Sequence, residues 1–400
     1  MFCIFLLERM FSKLSTVTSA VRFQQDLMNW YQINHRSLPW RETKNPYYIW
    51  ISEIMLQQTQ VKTVYHYFLR FIERFPTVET LADASTEQVM KYWEGLGYYN
   101  RAVKLHQTAQ IIKNKFRGCF PENYIQLLDL PGIGAYTAGA IASFAFNISE
   151  PAIDGNVSRV ISRIFLITED NKKTATKQKI RKFVLKIMSR KDVGVFNQAI
   201  MELGATICTP RKPACALCPV YSACKAFEYN KQDTIPHRGK KVKSKKIDME
   251  MALLLKENKI LLVKRPPGGL LANMWALPAT EVRSKNSDGY SIQNTLKNIY
   301  QIKINQKAIL IGKVKHVFTH RVWLMKLYYF SSFSDGIFDL HKEQWVSVSQ
   351  LTEYAIPTAF KKLLVYLSQI KKKIALSDLE KNSNKNNIKK MSKITFRSKK

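Results

Sequence analysis

Leu130-Pro131-Gly132-Ile133-Gly134-Ala135-Tyr136-Thr137-Ala138-Gly139-Ala140 lies between two helix-like segments. Pro131 ends the first segment, because proline lacks an N–H and clashes with helix geometry. Gly132 and Gly134 permit a tight turn and the close approach of another backbone. The amides of such a turn and the positive end of the following helix suit a phosphate. An ordinary helix–helix turn is the plainer alternative, so the flanking sequence has to decide.

Upstream, Val21 to Asn34 has helical spacing and leads to Leu38-Pro39-Trp40-Arg41, where a large aromatic stands beside a cation. Trp40 and Arg41 together can hold a planar base, or Trp40 can simply anchor the loop. Tyr47 to Phe75 reads as one long helix, with Glu53, Gln57 and Gln60 on a shared polar stripe. Ile51, Ile54 and Met55 hem Glu53 in sequence, and an apolar setting would raise its pKa, as a general acid requires. Thr77 is a candidate N-cap with Thr80 in the first turn of the next helix. In Tyr92 to Arg101, glycines precede Tyr98 and Tyr99, giving a loop that could wedge an aromatic into a base stack.

Downstream, Asp154-Gly155-Asn156 precedes a helical run, so Asp154 occupies an N-cap position where amides and the helix dipole favour its charged form. Glu53 biased toward its neutral form and Asp154 toward its anion would divide acid and stabiliser roles, the division that glycosidic cleavage needs.

The chain has 400 residues, room for two or three domains, and a net charge of +33. That field favours a polyanion, a nucleic acid or an acidic membrane surface. No apolar run approaches the ~18 residues of a membrane helix, and Met1–Leu7 lacks the marks of a signal peptide. A cytoplasmic protein is expected. Lys371 to Lys400 carries eleven basic and two acidic residues and reads as a disordered tail.

Cys208, Cys215, Cys218 and Cys224 are separated by six, two and five residues. Four thiolates so close can enclose one tetrahedral centre, zinc or an iron–sulfur cluster, and the spacing does not choose between them. Tyr229 to Ile247 is Lys-rich and reads as a linker. Beyond it, Asp248–Val263 and Val314–Phe330 look like strands and Val348–Leu367 a closing helix, an α+β pattern.

Together, residues 21–228 resemble the MutY-type adenine DNA glycosylases of the helix-hairpin-helix superfamily. The resemblance is carried by Leu38–Arg41, Ser52–Gln60, Gly95–Tyr99, Leu130–Ala140, Ile153–Asn156 and the cysteine set. Residues 249–368 resemble that family's MutT-like domain through Gly268-Gly269, Trp275–Pro278 and His316–Arg321. The implied fold is a mainly α glycosylase region (a six-helix barrel, 41–148, and an iron–sulfur cluster domain from 21–40 with 149–228). A smaller α+β Nudix-like domain, 248–368, follows the linker 229–247; an extension, 1–20, and a basic tail, 369–400, flank the whole.

The resemblance implies a monomeric base-excision enzyme acting on double-stranded DNA, hydrolysing the glycosidic bond of adenine mispaired with 8-oxoguanine or guanine, with the adenine flipped out of the duplex. By carry-over, Glu53 protonates adenine N7, Asp154 stabilises or transiently bonds the oxocarbenium sugar, and Tyr136 and Asn156 support them. Trp40, Arg41 and Gln198 would touch the adenine; Gln57, Gln58, Thr59 and Tyr98 would meet the DNA, the last three on the 8-oxoguanine side with Tyr98 as wedge. Gly132 and Gly134 would grip the DNA backbone. The four cysteines would bind one [4Fe–4S] cluster.

Related endonuclease III-type glycosylase/lyases place a Schiff-base lysine where Tyr136 stands, and a tyrosine forms no imine, so a monofunctional glycosylase is expected. Thr280 to Ile304 offers only Glu281 and Asp288 in place of a Glu-rich metal box, so the second domain is expected to recognise the lesion through Phe318, Thr319 and His320 without hydrolysing nucleotides. A lyase-type endonuclease, or a non-catalytic metal-stabilised DNA-binding protein, are the competing readings.

Overall fold

A computed structural model describes residues 17–237, 244–282, 288–336, 338–339 and 341–370. The expected tail and most of the N-terminal extension lie outside these residues. The chain forms two compact units, residues 1–241 and 242–400. No helix of the described residues is long and apolar enough to cross a membrane.

The first unit is helical: α1 (Val17–Asn34), a 3-10 turn (Pro39–Arg41), α2 (Pro46–Leu56), α3 (Val61–Arg74), α4 (Val78–Asp83), α5 (Thr86–Trp93), α6 (Asn100–Phe116), α7 (Tyr124–Leu128), α8 (Ala135–Phe146), α9 (Gly155–Ile164), α10 (Thr174–Ile187), α11 (Val193–Thr206) and, after short turns around the cysteines, α12 (Lys225–Glu228). α1 begins four residues before the apolar spacing does. Thr77 and Thr80 form a reciprocal capping box at α4.

The long helix expected over Tyr47–Phe75 is two helices, and Glu53, Gln57 and Gln60 share no stripe. Gln57 leaves the helix at ψ 111 and caps α2, Gln58 has φ 58, and Gln60 caps α3. No glycine or proline marks the break. Its partner is distant: Arg101 Nη1 donates to the carbonyls of Ile54, Met55 and Gln57, satisfying the end of α2.

α2 is buried almost all round, from Tyr47 through Met55, and packs on α3 and α8. α8 is equally enclosed from Thr137 to Ser143. A Cβ on Gly139 would stand 2.4 Å from the Pro151 carbonyl oxygen, so this glycine lets the strand-like segment before α9 lie against α8. A second core joins α1, α9, α10 and α11 through Phe23, Leu27, Val160, Ile180, Val184, Phe196 and Ile200.

The second unit is a seven-stranded mixed sheet with helices. β1 (Lys245–Lys256) is central and pairs in parallel with β6 (Arg321–Phe330). β2 (Lys259–Lys264) and β7 (Glu343–Ser347) continue one side; β3 (Trp275–Ala276) pairs with β2, β4 (Ala279–Glu281) with β1 and β5 (Ile309–Val317) with β6. Two readings change. The strand expected over Asp248–Val263 is a hairpin, turned by Glu257 at φ 48 and Asn258 at φ 63, the paired left-handed geometry of a two-residue turn. β1 also begins inside the expected linker, at Lys245, because its backbone pairs with Arg321.

α13 (Tyr290–Ile299) starts with both oxygens of buried Glu250 accepting N–H groups, from Gly289 and Ile292. The closing helix is shorter than expected, a 3-10 turn over Val348–Glu353 and then α14 (Thr358–Leu364), with Pro357 between them.

Candidate active site

A cleft of about 1310 Å³ opens in the first unit. Glu53, Trp40, Arg41, Gln57, Gln58, Thr59, Gly134, Tyr136, Asp154, Asn156 and Gln198 all line it. The residues singled out from four separate motifs therefore converge on one concavity.

Glu53 reaches it from buried α2, only 4% exposed. The Tyr136 hydroxyl, from the first turn of α8, donates to Glu53 Oε2. Burial drives the Glu53 pKa up; the Tyr136 bond opposes this, the nearby Asp154 charge adds to it, Arg41 opposes it, and the result is about 7. Burial and the neighbouring carboxylates also push Tyr136 well above the ordinary phenol range.

Asp154 caps α9 as the sequence indicates. Its Oδ1 accepts from the Val157 amide at 2.7 Å and its Oδ2 from Asn156 Nδ2 at 2.8 Å. Asn156 is held in turn by Arg159, whose Nη2 donates to Asn156 Oδ1 and to the Gly204 carbonyl. One expectation is corrected: the capping bonds do not win. Burial raises the Asp154 pKa above the usual aspartate value, against the pull of the Val157 amide, Asn156 and Arg159. The two carboxyls thus share one direction of bias; what differs is their donors, a phenol for Glu53 and amides for Asp154.

Trp40 is buried, edge-on to Phe68. Arg41 binds Glu202 at 2.6 Å. Gln198 Oε1 accepts from the Tyr31 hydroxyl at 2.6 Å. Gln57 Nε2 donates to Thr137 Oγ1 at 3.3 Å. Gln58 and Tyr98 are exposed with left-handed backbones, and Arg101 ties their segments together, donating to Thr59 Oγ1 and to the Leu96 and Gly97 carbonyls. At the hairpin, Gly132 has φ 81, while a Cβ on Gly134 would meet open space. Arg36, Arg159 and Glu202 were missed in the sequence. Glu202 carried a usable signal, a carboxylate between Met201 and Leu203, the same pattern that drew notice to Glu53.

The four cysteines follow α11. Cys208 and Cys218 pack against the second core, and burial lifts the thiols of Cys218 to about 12 and Cys224 to about 11, each within electrostatic range of the others. Among the described residues no three His, Cys, Asp or Glu side chains close on a single small ion. Arg163, 2% exposed, donates Nη1 to Cys208 Sγ at 3.2 Å, while its Nη2 is buried without a partner. A buried guanidinium turned on a thiol group fits an anionic thiolate centre there.

In the second unit, Phe318, Thr319 and His320 form the β5–β6 turn. Thr319 and His320 are exposed; Phe318 meets His316 and Trp323 edge-on.

Residues 51–186 match the HhH-GPD superfamily of base excision DNA repair proteins, and residues 250–366 the NUDIX domain. The fold is that of a helix-hairpin-helix DNA glycosylase followed by a Nudix-like α+β unit. An adenine DNA glycosylase of Buchnera aphidicola subsp. Baizongia pistaciae is 36% identical over 87% of this chain and 97% of its own length. The adenine DNA glycosylase of Mus musculus is 31% identical over 87% of this chain and 78% of its own. The chain belongs to the adenine DNA glycosylase family, the enzymes that release adenine from DNA in base-excision repair.

Proposed function

We propose that the adenine removed is one mispaired with 8-oxoguanine or guanine in double-stranded DNA, and that removal is hydrolytic without strand cleavage. Convergence of Glu53, Tyr136 and Asp154 on one cleft carries this reading. Glu53, neutral in a useful fraction at physiological pH, gives its proton to N7 of the extruded adenine. The bond from C1′ to N9 then breaks with its electron pair passing to the base. Asp154, anchored by Val157 and Asn156, faces the positive charge that develops on the sugar, stabilising it or transiently bonding C1′. Water adds at C1′, and its proton returns to the Glu53 carboxylate. Tyr136 offers no amine for an imine, so the product is an intact strand with an abasic site.

Trp40, Arg41 and Gln198 would hold the adenine; Gln57, Gln58, Thr59 and Tyr98 the surrounding DNA; Gly132 and Gly134 a phosphate. Phe318, Thr319 and His320 would read the 8-oxoguanine. Cys208, Cys215, Cys218 and Cys224 would hold one [4Fe–4S] cluster, whose role would be structural or DNA-sensing; the buried Arg163 guanidinium donating to Cys208 Sγ suits such an anionic thiolate centre. The enzyme would act as a cytoplasmic, nucleoid-associated monomer.

The test is incubation with labelled duplexes carrying A opposite 8-oxoguanine, G or T. Scission only after alkali, and only for the two mispairs, is expected. Scission without alkali would overturn the monofunctional reading, and equal release opposite T the mispair requirement.

A further inference from the structure

Glu202 holds the most heavily bonded carboxylate of the cleft. Its side chain has no exposure at all. Oε1 accepts from Arg36 Nε at 2.6 Å and from the Arg36 amide at 3.2 Å; Oε2 accepts from Arg36 Nη2 at 2.7 Å and from Arg41 Nη2 at 2.6 Å. Arg41 is further fixed by donating Nη1 to the Arg36 carbonyl at 3.2 Å. Burial acts to raise the Glu202 pKa, yet the two arginines override it and hold it at about 2. This carboxylate is an anion under all working conditions and serves a different purpose from Glu53.

That purpose follows from where Arg41 stands. It lines the same cleft as Glu53. Around Glu53, α8 contributes Tyr136, the start of α9 contributes Asp154, and the 3-10 turn contributes Arg41. α3, which packs on α2, turns buried apolar Val64 and Phe68 inward. α6 sends Arg101, bound to the carbonyls that end α2. Arg41, on the wall of the same cleft, favours the charged form of Glu53, the smallest of the four influences on that carboxyl, and a donor-only guanidinium is also what the acceptor nitrogens of a purine require. Without a counter-charge the two uses conflict.

We propose that Glu202 is a positioning residue that resolves this conflict: it locks Arg36 and Arg41 as a fixed donor pair on the cleft wall and neutralises Arg41, so that Glu53 can keep its acid proton beside a cation. The inference rests on the proposed role of Glu53 as acid. It acts through Arg41, and Glu202 itself need not touch the substrate.

The test is the pH profile of single-turnover adenine release from a duplex with A opposite 8-oxoguanine. In Glu202→Gln, Arg41 is uncompensated, the Glu53 anion is favoured, and the alkaline fall in rate moves to lower pH by about one unit. In the double variant Glu202→Gln with Arg41→Gln the fall returns toward its wild-type position, at a lower plateau because a purine contact is gone. Arg36→Gln, at a side chain 40% exposed and so tolerant of change, gives Arg41 a larger share of Glu202 and moves the fall up. A Glu202→Gln enzyme with a lowered plateau and an unmoved fall would overturn the proposal. If that variant does not fold, Arg36→Gln decides, and a shift to lower pH refutes the neutralising role. A wild-type profile with no alkaline fall, or turnover retained in Glu53→Gln, would instead remove the acid role beneath it.

Discussion

Replacing Tyr136 by Phe deletes one oxygen, the one whose hydrogen bonds Glu53 Oε2. An ordinary glutamate titrates near 4.5, and Glu53 is pushed up to about 7. At pH 7 that difference raises the protonated fraction from roughly 1 in 300 to about one half, equivalent to about 3 kcal/mol. The Tyr136 bond works against this rise, because a donor aimed at a carboxylate favours the charged form. A hydrogen bond to a buried charge contributes about 1.5–3 kcal/mol, so its loss moves the midpoint of the alkaline fall up by about one to two pH units. The assay is single-turnover adenine release followed from about pH 5 to about pH 9, where the profile reports the groups of the bound complex. Tyr136→Phe is expected to stay active at pH values where the parent has faded. A midpoint that stays put or falls would refute the coupling of Tyr136 to Glu53. A uniform loss at every pH would reassign Tyr136 to contact with the reacting sugar.

Glu53→Gln should bind duplex normally and release no adenine; because the raised Glu53 pKa costs the fold stability as pH rises from about 4.5 to about 7, this variant should also unfold at higher denaturant above pH 7, by up to about 3 kcal/mol, and match the parent in acid. Asp154→Asn keeps an N-cap acceptor but loses the anion, and the rate constant for release should drop about 100-fold or more while duplex affinity holds. Gly139→Ala places a Cβ against the Pro151 carbonyl oxygen, and urea unfolding should show a loss of about 1–3 kcal/mol. Purified protein should be brown with iron near about four per chain, and colourless protein with a single zinc would contradict the cluster.

What could be read ahead of the structure was whatever a few consecutive residues decide. The Thr77 cap, the Asp154 cap and the Pro131–Gly134 turn each depend on neighbours within four positions, and each stands where expected. The break between α2 and α3 was invisible because its cause is Arg101, more than forty residues away, binding carbonyls that any residue type would present. The hairpin at Glu257-Asn258 was missed for a different reason: a Glu at the first left-handed position is not a residue that advertises the turn. Likewise the ionised bias assigned to Asp154 followed from its local amides alone, whereas the burial that overrides them comes from the walls of the cleft.

Glu53 and Glu202 show why the same local pattern can mean opposite things. Each interrupts an apolar helix and each is buried, 4% and 0% exposed. Water is withdrawn from both, so both are driven toward the neutral acid. The outcome is settled by which donors arrive from elsewhere in the chain. Glu202 receives two guanidiniums from positions 36 and 41, more than 160 residues earlier, and stays an anion. Glu53 receives a phenol, a hydrogen-bond donor with no positive charge, and settles near neutrality where a proton can be given and taken back. A buried carboxylate with a cation in hand is structural because it is already satisfied; one given only a neutral donor remains unsatisfied in either state. That residual reactivity, on the wall of the cleft that Trp40 and Asp154 also line, is what the proposed acid role of Glu53 needs, and the satisfied Glu202 is what the proposed supporting role needs.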